Sequence, residues 1–406
     1  MSSMKLRRCW LATFLLATIE PSFAAETWKD FAGKPGPGGW RCHVIQPDPK
    51  DHGPDGINFH DWDGDGDIDV FANYEEGKYS RLYLNPGKEK ARGLWEDSIE
   101  FRHGPCEDSG IGDLDNDGDI DYVANGGIIY FNPGPETLHD ADTWPRITLF
   151  REEQRVPVVA DVDGDGLNDL IVGGRSWFKQ PETGKHGAEH WIRYELGEAK
   201  WPMNCLPRDV DKDGDTDIVV ADRRKEIFWY ANPGKERVTS KWPRKPLHPH
   251  GPMFVAMGDI DGDGREDMAI AGGAEGKDPW KLKLTVLLRT NDSGDPTYHE
   301  IRIDQPCGNF PKGVGLLDLD GDPKTLEIVV LPKQGDLWTA SFSGDPKDAA
   351  NWKAAPLPTP GSETRKKMDN VYLADLDGDG DLDITTTEEN GGWGVIWFEN
   401  PAEARK

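Results

Sequence analysis

One nine-residue pattern, D-x-D-x-D-G-x-x-D, recurs six times along this chain. The copies begin at Asp61, Asp113, Asp161, Asp209, Asp259 and Asp375, a damaged copy begins at Asp318, and successive starts lie 48 to 59 residues apart. A period of about fifty residues is the length of one four-stranded propeller blade. Each unit has a short apolar run before the loop, such as Val158-Val159-Ala160, and another after it, such as Ile218-Val219-Val220. An aromatic run ending in Asn-Pro-Gly follows, and then a segment that usually opens with Trp. β-Branched and aromatic runs bounded by turn residues are strands, so each unit has four.

The fourth-strand signature gives the topology. It follows each of the first six loops, near Trp95, Trp144, Trp191, Trp242, Tyr298 and Trp352. After the last loop the chain ends at Trp397-Phe-Glu-Asn-Pro without one, yet a spare copy, Trp40-Arg-Cys-His-Val-Ile, precedes the first loop. The expectation is an all-β, seven-bladed propeller of antiparallel blades. Its N-terminal strand (about 40–46) completes a last blade made otherwise by about 371–401, which pairs both chain ends and removes an open edge.

The loops carry the most specific chemistry. Carboxylates at positions one, three and five can converge on one cation, Gly at six permits the turn, position seven adds a carbonyl and position nine closes the shell. The expected calcium ligands are Asp61, Asp63, Asp65, Asp67 and Asp69 in the first loop, and Asp113, Asp115, Asp117, Asp119 and Asp121 in the second. They continue as Asp161, Asp163, Asp165, Leu167 and Asp169, then Asp209, Asp211, Asp213, Asp215 and Asp217. The last two sets are Asp259, Asp261, Asp263, Arg265 and Asp267, and Asp375, Asp377, Asp379, Asp381 and Asp383. All are hard oxygen donors, which favour Ca²⁺. The Asp318 copy has Pro323 in place of the turn Gly and Glu327 one residue late, so weak or no binding is expected there. About six calcium ions would add +12 to the formal charge of −27.

Apolar strand, Asp loop, apolar strand and then a "WF-NPG" turn resembles the FG-GAP or VCBS repeat, the blade unit of integrin α-subunit propellers and of many exported bacterial proteins. The resemblance spans residues 40–401. It implies the calcium role at the matching loop residues in six blades. Similar seven-bladed folds occur in some polysaccharide lyases and in fungal aldos-2-ulose dehydratase, but no catalytic motif of those enzymes maps onto this sequence, and a shared fold is not a shared chemistry.

The chain begins with Lys5, Arg7 and Arg8, a short apolar stretch from Cys9 to Ile19, and Ser22-Phe23-Ala24. That reads as a signal peptide over residues 1–24, too short in its apolar part to span a bilayer. A linker follows at 25–39, the propeller occupies 40–401 as a single domain, and 402–406 form a tail. The expected location is secreted or periplasmic, without membrane insertion after signal removal. The acidic balance argues against nucleic acid, whose phosphates need clustered Lys and Arg. Acidity here does not mean disorder, since 16 Trp and many Val/Ile runs supply a core. Cys42, Cys106, Cys205 and Cys307 show neither a disulfide framework nor a CxxC metal spacing.

A meander reverses at each turn. The segments leading into the first strands therefore share one face with the strand 2–3 hairpins, and the Asp loops lie on the other. On the first face the sequence places His52, His103, His250, Lys312 and Arg155 as candidate catalytic groups. Candidate ligand-binding groups there are Asp55, Glu107, Asp108, Glu152, Arg175, Asn204, Arg223, Arg224, Trp280, Asn309, Lys366 and Trp393. Three His can offer imidazoles to Zn²⁺, but the fifth blade lies nearly across the ring from the first two, which argues against one ion touching all three. Trp280 and Trp393 can stack on sugars or fill a blade core.

Two function classes follow. One is a binding module whose channel mouth takes a glycan or an extracellular protein. The alternative is a carbohydrate-active lyase, of β-elimination or dehydratase type, in which a mouth His abstracts a proton and Lys312, Arg155 or a metal stabilises the anion. Hydrolase and kinase motifs are missing.

Overall fold

The computed structural model describes residues 27–48, 52–150, 156–182, 187–223, 225–272, 284–305, 307–308 and 310–401. Among these, seven four-stranded antiparallel sheets form, each from consecutive segments except the last. The first blade shows the plan: Pro54–His60, Asp69–Tyr74, Tyr79–Tyr83 and Ser98–Arg102, paired in that order. The last blade runs Tyr372–Ala374, Asp383–Glu388 and Gly394–Glu399, and its outer strand is the N-terminal Arg41–Gln46. Arg41 pairs with Glu399, Cys42 with Phe398, His43 with Trp397 and Val44 with Ile396, so the ring closes as the spare fourth-strand signature requires.

Side chains seal the same seam. The His43 ring stacks on Trp397 with centroids 4.5 Å apart, and its Nε2 lies 2.7 Å from Glu399 Oε2. Residues 27–39, expected to be a linker, include the 3₁₀ turn Thr27–Asp30, and Phe31 stacks on Trp393 of the last blade.

First strands line the axis and touch their neighbours there. Glycine is required where the backbones come closest. A Cβ on Gly56 would lie 2.7 Å from the carbonyl oxygen of Glu107 in the next blade, and one on Gly110 would lie 2.7 Å from that of Pro157. The core sits between blades. At the closing seam Val70, Ala72 and Tyr74 pack with Leu376, Val395 and Trp397. The Trp that announces a fourth strand is buried just ahead of it. Its indole N–H donates to a nearby carbonyl, Ala91 for Trp95 at 2.9 Å and Val238 for Trp242 at 2.8 Å. Trp144 and Trp352 do the same with Leu138 O and Pro346 O, so these four fill apolar space and satisfy their only donor, whereas the indole nitrogens of Trp40 and Trp191 have no partner among the described residues. Among the described residues no helix is long and apolar enough to cross a membrane.

Candidate functional site: a loop face and a channel mouth

Backbone hydrogen bonds separate the two faces. On one, the lead-in segments bond to the strand 2–3 hairpins: Gly77 N–H to His52 O, Arg223 N–H to Trp201 O and Glu389 N–H to Lys367 O. On the other, the Asp loops bond to the turns after the third strands, and the ninth carboxylate makes the connection. Asp69 Oδ2 accepts from Trp62 N–H at 2.8 Å and Oδ1 from Asn85 N–H at 2.7 Å. Asp217 repeats this with Val210 and Asn232, and Asp383 with Leu376 and Asn400. Glu327 of the damaged copy still reaches Leu319 N–H at 2.7 Å, because its longer side chain spans the extra residue.

Sequence reasoning assigned Asn-Pro-Gly no role beyond a turn, and the structure corrects this. Asn85 Nδ2 donates to Ile68 O in its own blade and to Leu376 O in the neighbouring blade, each at 3.0 Å. Asn232 reaches Val162 O of the preceding blade at 2.9 Å, and where the fifth blade has Arg289 instead, its guanidinium reaches Val210 O at 2.7 Å. The turn residue is thus an inter-blade clasp. The signal was its recurrence after the third strand, which local turn chemistry explained too easily.

The loops suit a hard cation. Ligand atoms of Asp61, Asp63 and Asp69 lie within 4.8 Å of one another, as do those of Asp113, Asp115 and Asp121, and of Asp161, Asp163 and Asp169. The first carboxylate folds the turn: Asp61 accepts from Gly66 N–H at 2.9 Å and Asp259 from Gly264 N–H at 2.9 Å. The sixth-position glycines take φ between +87° and +99°, which Pro323 cannot adopt. Buried oxygens remain without a hydrogen-bond partner on Asp61, Asp163 and Asp211, each its Oδ1. Such atoms are costly unless something electropositive meets them. Burial pushes the Asp69 carboxyl up to about 7 and that of Asp121 up to about 8, against the pull of their two backbone donors. In the third blade the Lys179 ammonium already contacts Asp163 and Asp165, the latter at 2.5 Å.

The mouth does not gather the histidines. His52 Nδ1 is 3.0 Å from the Tyr79 hydroxyl, whereas His103 contacts Ser80 Oγ at 3.0 Å and Gly104 O at 3.1 Å. Tyr79 and Ser80 are successive strand residues, so the two rings lie on opposite faces of one strand. Burial pushes His103 down to about 4. His250 packs edge-on against His248, centroids 5.4 Å apart. Each ring has its own neighbours. Trp393 is fully buried and donates to Thr364 Oγ1 at 3.0 Å, so it is core and offers no face to a sugar. Glu152, Arg155, Arg224, Trp280 and Asn309, like the signal segment 1–24, lie outside the described residues.

What the mouth does gather is a set of carboxylates and two lysines. Asp55 leads the first blade, Asp369 leads the last, and Glu389 follows the second strand of the last. One ligand oxygen from each lies within 4.8 Å of the others. Lys312, nearly buried, pairs with Asp369 at 2.6 Å, and Lys367 pairs with Glu389. Burial, with the charges of Asp369, Glu389 and Glu107 adding to it, pushes the Asp55 carboxyl well above the usual range. Burial and Asp369 push Glu389 up to about 8. Sequence reasoning found Asp55, Lys312 and Glu107 but missed Glu389, whose only signal was a place in a 2–3 hairpin. Lys366 points elsewhere: its side chain is exposed, and its backbone N–H donates to Glu388 at 2.9 Å.

A cavity of about 260 Å³ opens along the axis, lined by Asp108, Asn204, Asn370, Tyr372 and the backbones of the inner strands. Asn204 Oδ1 accepts from Val255 N–H at 3.1 Å, which fixes the amide. Around the rim from the acidic cluster stands Trp201, which sequence reasoning overlooked because it sits beside a turn rather than in a strand. It is 47% exposed, and the Arg223 guanidinium lies 5.2 Å from its ring centroid. Arg175 of the preceding blade holds that segment by donating to Ala199 O at 2.7 Å and Lys200 O at 2.9 Å.

Comparison with known proteins agrees on the repeat. The sequence model of the FG-GAP-like repeat matches residues 61–124 and 209–270. Crystal structures of BBS1N in complex with ARL6DN, soaked with lead or with mercury, are similar at a TM-score of 0.49 and 12% identity, covering 88% of this chain and 98% or 96% of that one. The β-propeller domain of Myceliophteria thermophila Cps50 (Swd1) is similar at a TM-score of 0.48 and 7% identity, over 88% of this chain and 99% of that one. No curated protein matches in sequence.

Proposed function

From the premise that this chain is a seven-bladed β-propeller built of FG-GAP-like repeats, we propose that it is an exported binding module that takes a carbohydrate at its channel mouth. Calcium in the Asp loops stiffens the opposite face. Export rests on the basic, then apolar, then small-residue start of the sequence.

The observation that carries the reading is Trp201. A half-exposed indole at the rim, held by a cation on its ring, is a flat apolar platform of the kind a sugar ring covers. The fixed Asn204 amide, three residues on, and Asn370 line the axial cavity and supply polar groups to orient hydroxyls. The loop carboxylates support the calcium part, since their donor set is all oxygen and several buried oxygens lack partners. A lyase at the same mouth would need a histidine free to act as base, whereas His52 is engaged by Tyr79 and His103 by Ser80 and Gly104.

The test is a glycan array and titration calorimetry on the calcium-loaded protein, with Trp201→Ala beside it. Binding that Trp201→Ala removes supports the proposal. Binding that survives Trp201→Ala unchanged, or no glycan bound at all, overturns it. Absorbance of unsaturated products from acidic polysaccharides would instead show the lyase.

A further inference from the structure

We propose that the channel mouth holds a hard divalent cation between the first and last blades, ligated by Asp55, Asp369 and Glu389 and separate from the loop ions. The inference rests on reading the mouth as the ligand face and gives that face a charge centre.

Three carboxylates with ligand oxygens within 4.8 Å of one another are by themselves only an acidic cluster. Unpartnered buried oxygens make this one different. Asp55 is 5% exposed, and its Oδ2 has no hydrogen-bond partner; Glu389 is 4% exposed, and its Oε1 has none either. A buried carboxylate oxygen without a donor carries its full desolvation cost, and a coordinated ion would offset it.

The surroundings hold the acids in place rather than neutralise them. Lys367 takes Glu389 Oε2, which leaves Oε1, and Lys312 takes Asp369 Oδ1. Among the described residues no lysine pairs with Asp55. Its backbone carbonyl is fixed instead by the Thr387 hydroxyl at 3.0 Å, across the blade seam. Asp55 also belongs to a second close set with Glu75 and Glu76 on the first blade's hairpin, so negative charge around it exceeds what two lysines balance. Oxygen-only donors of this charge select Ca²⁺, Mg²⁺ or Mn²⁺ over softer ions. An ion here would bridge the blade that starts the ring to the blade that closes it. Its remaining coordination positions would face the channel, open to a carboxylate or vicinal hydroxyls of a bound ligand.

Equilibrium dialysis of the full chain against calcium, with Asp55→Asn, Glu389→Gln and the loop variant Asp61→Asn, tests this. The expected result is a stoichiometry lower by one ion in Asp55→Asn and in Glu389→Gln, and not lowered further when the two are combined. Asp61→Asn should subtract a different ion, additively. Folding is checked by thermal melting in chelator, where Asp55→Asn should melt no lower than the wild type because it removes a repelled charge. An unchanged ion count in folded Asp55→Asn and Glu389→Gln overturns the inference. Glycan binding is read separately. If the count falls while glycan binding persists in Trp201→Ala, the ion site stands and the carbohydrate reading fails. If the count is unchanged while glycan binding is lost in Trp201→Ala, the reverse holds.

Discussion

Asp69 and Asn85, sixteen residues apart, are joined through the Asn85 backbone N–H, which donates to Asp69 Oδ1 at 2.7 Å, while the Asn85 side chain donates to Leu376 O of the neighbouring blade at 3.0 Å. One carboxylate and one amide thus connect a loop, a turn and the next blade. The ninth Asp of the repeat is a structural latch whatever else it ligates.

The latch predicts a large stability loss from a small change. Asp69→Ala strands two buried N–H donors and should cost roughly 3–6 kcal/mol, since each charge-assisted bond contributes about 1.5–3 kcal/mol. Asn85→Ala, which keeps the backbone bond and loses three neutral side-chain bonds, to Ile68 O and Leu376 O and from Gly87 N–H, should cost less, about 2–3 kcal/mol at about 1 kcal/mol each. Denaturant unfolding midpoints check both, and equal losses would refute the division of labour.

Chelation should lower the melting temperature, and added calcium should restore it, because an ion that binds only the folded loops stabilises by mass action. Of the six intact loops the third should contribute least, since Lys179 already contacts two of its carboxylates, Asp163 and Asp165. Lys179→Gln should therefore increase the calcium-dependent rise in melting temperature. No change on that substitution would mean the ammonium and the ion do not compete.

Acid should destabilise the fold through His103. Its folded value is pushed down to about 4 by burial, which outweighs the Gly104 carbonyl contact, against about 6.5 in an unfolded chain. The unfolded state then takes the proton first. Stability is intact above about pH 6.5 and falls as pH drops toward 4, by roughly 3 kcal/mol in all. His103→Gln should flatten that part of the stability–pH curve. An identical slope in the variant would remove His103 from the account.

The four cysteines that follow the signal segment should be inert in the folded protein. Cys42, Cys106, Cys205 and Cys307 are free and buried, and burial raises their thiols, to about 11 for Cys42 and about 12 for Cys106. A thiol reagent should label none under native conditions and all four in denaturant. Fast labelling of one without unfolding would show a local opening.

Blade count, the places of the acidic loops and the circular closure were all legible in the residues. Those properties are local and repeated: Asp61 to Asp69 carry their own turn, and the spare Trp40 strand is visible because the last unit lacks one. The mouth was not legible there. Asp55 and Glu389 are more than three hundred residues apart and meet only because the ring closes, and no spacing records that. The histidines show the same limit in reverse. His52 and His103 each open a His-Gly-Pro, but strand alternation at Tyr79 and Ser80 sends them to opposite faces. Repetition specifies each blade, whereas a site between blades depends on how side chains from distant segments converge on one axis.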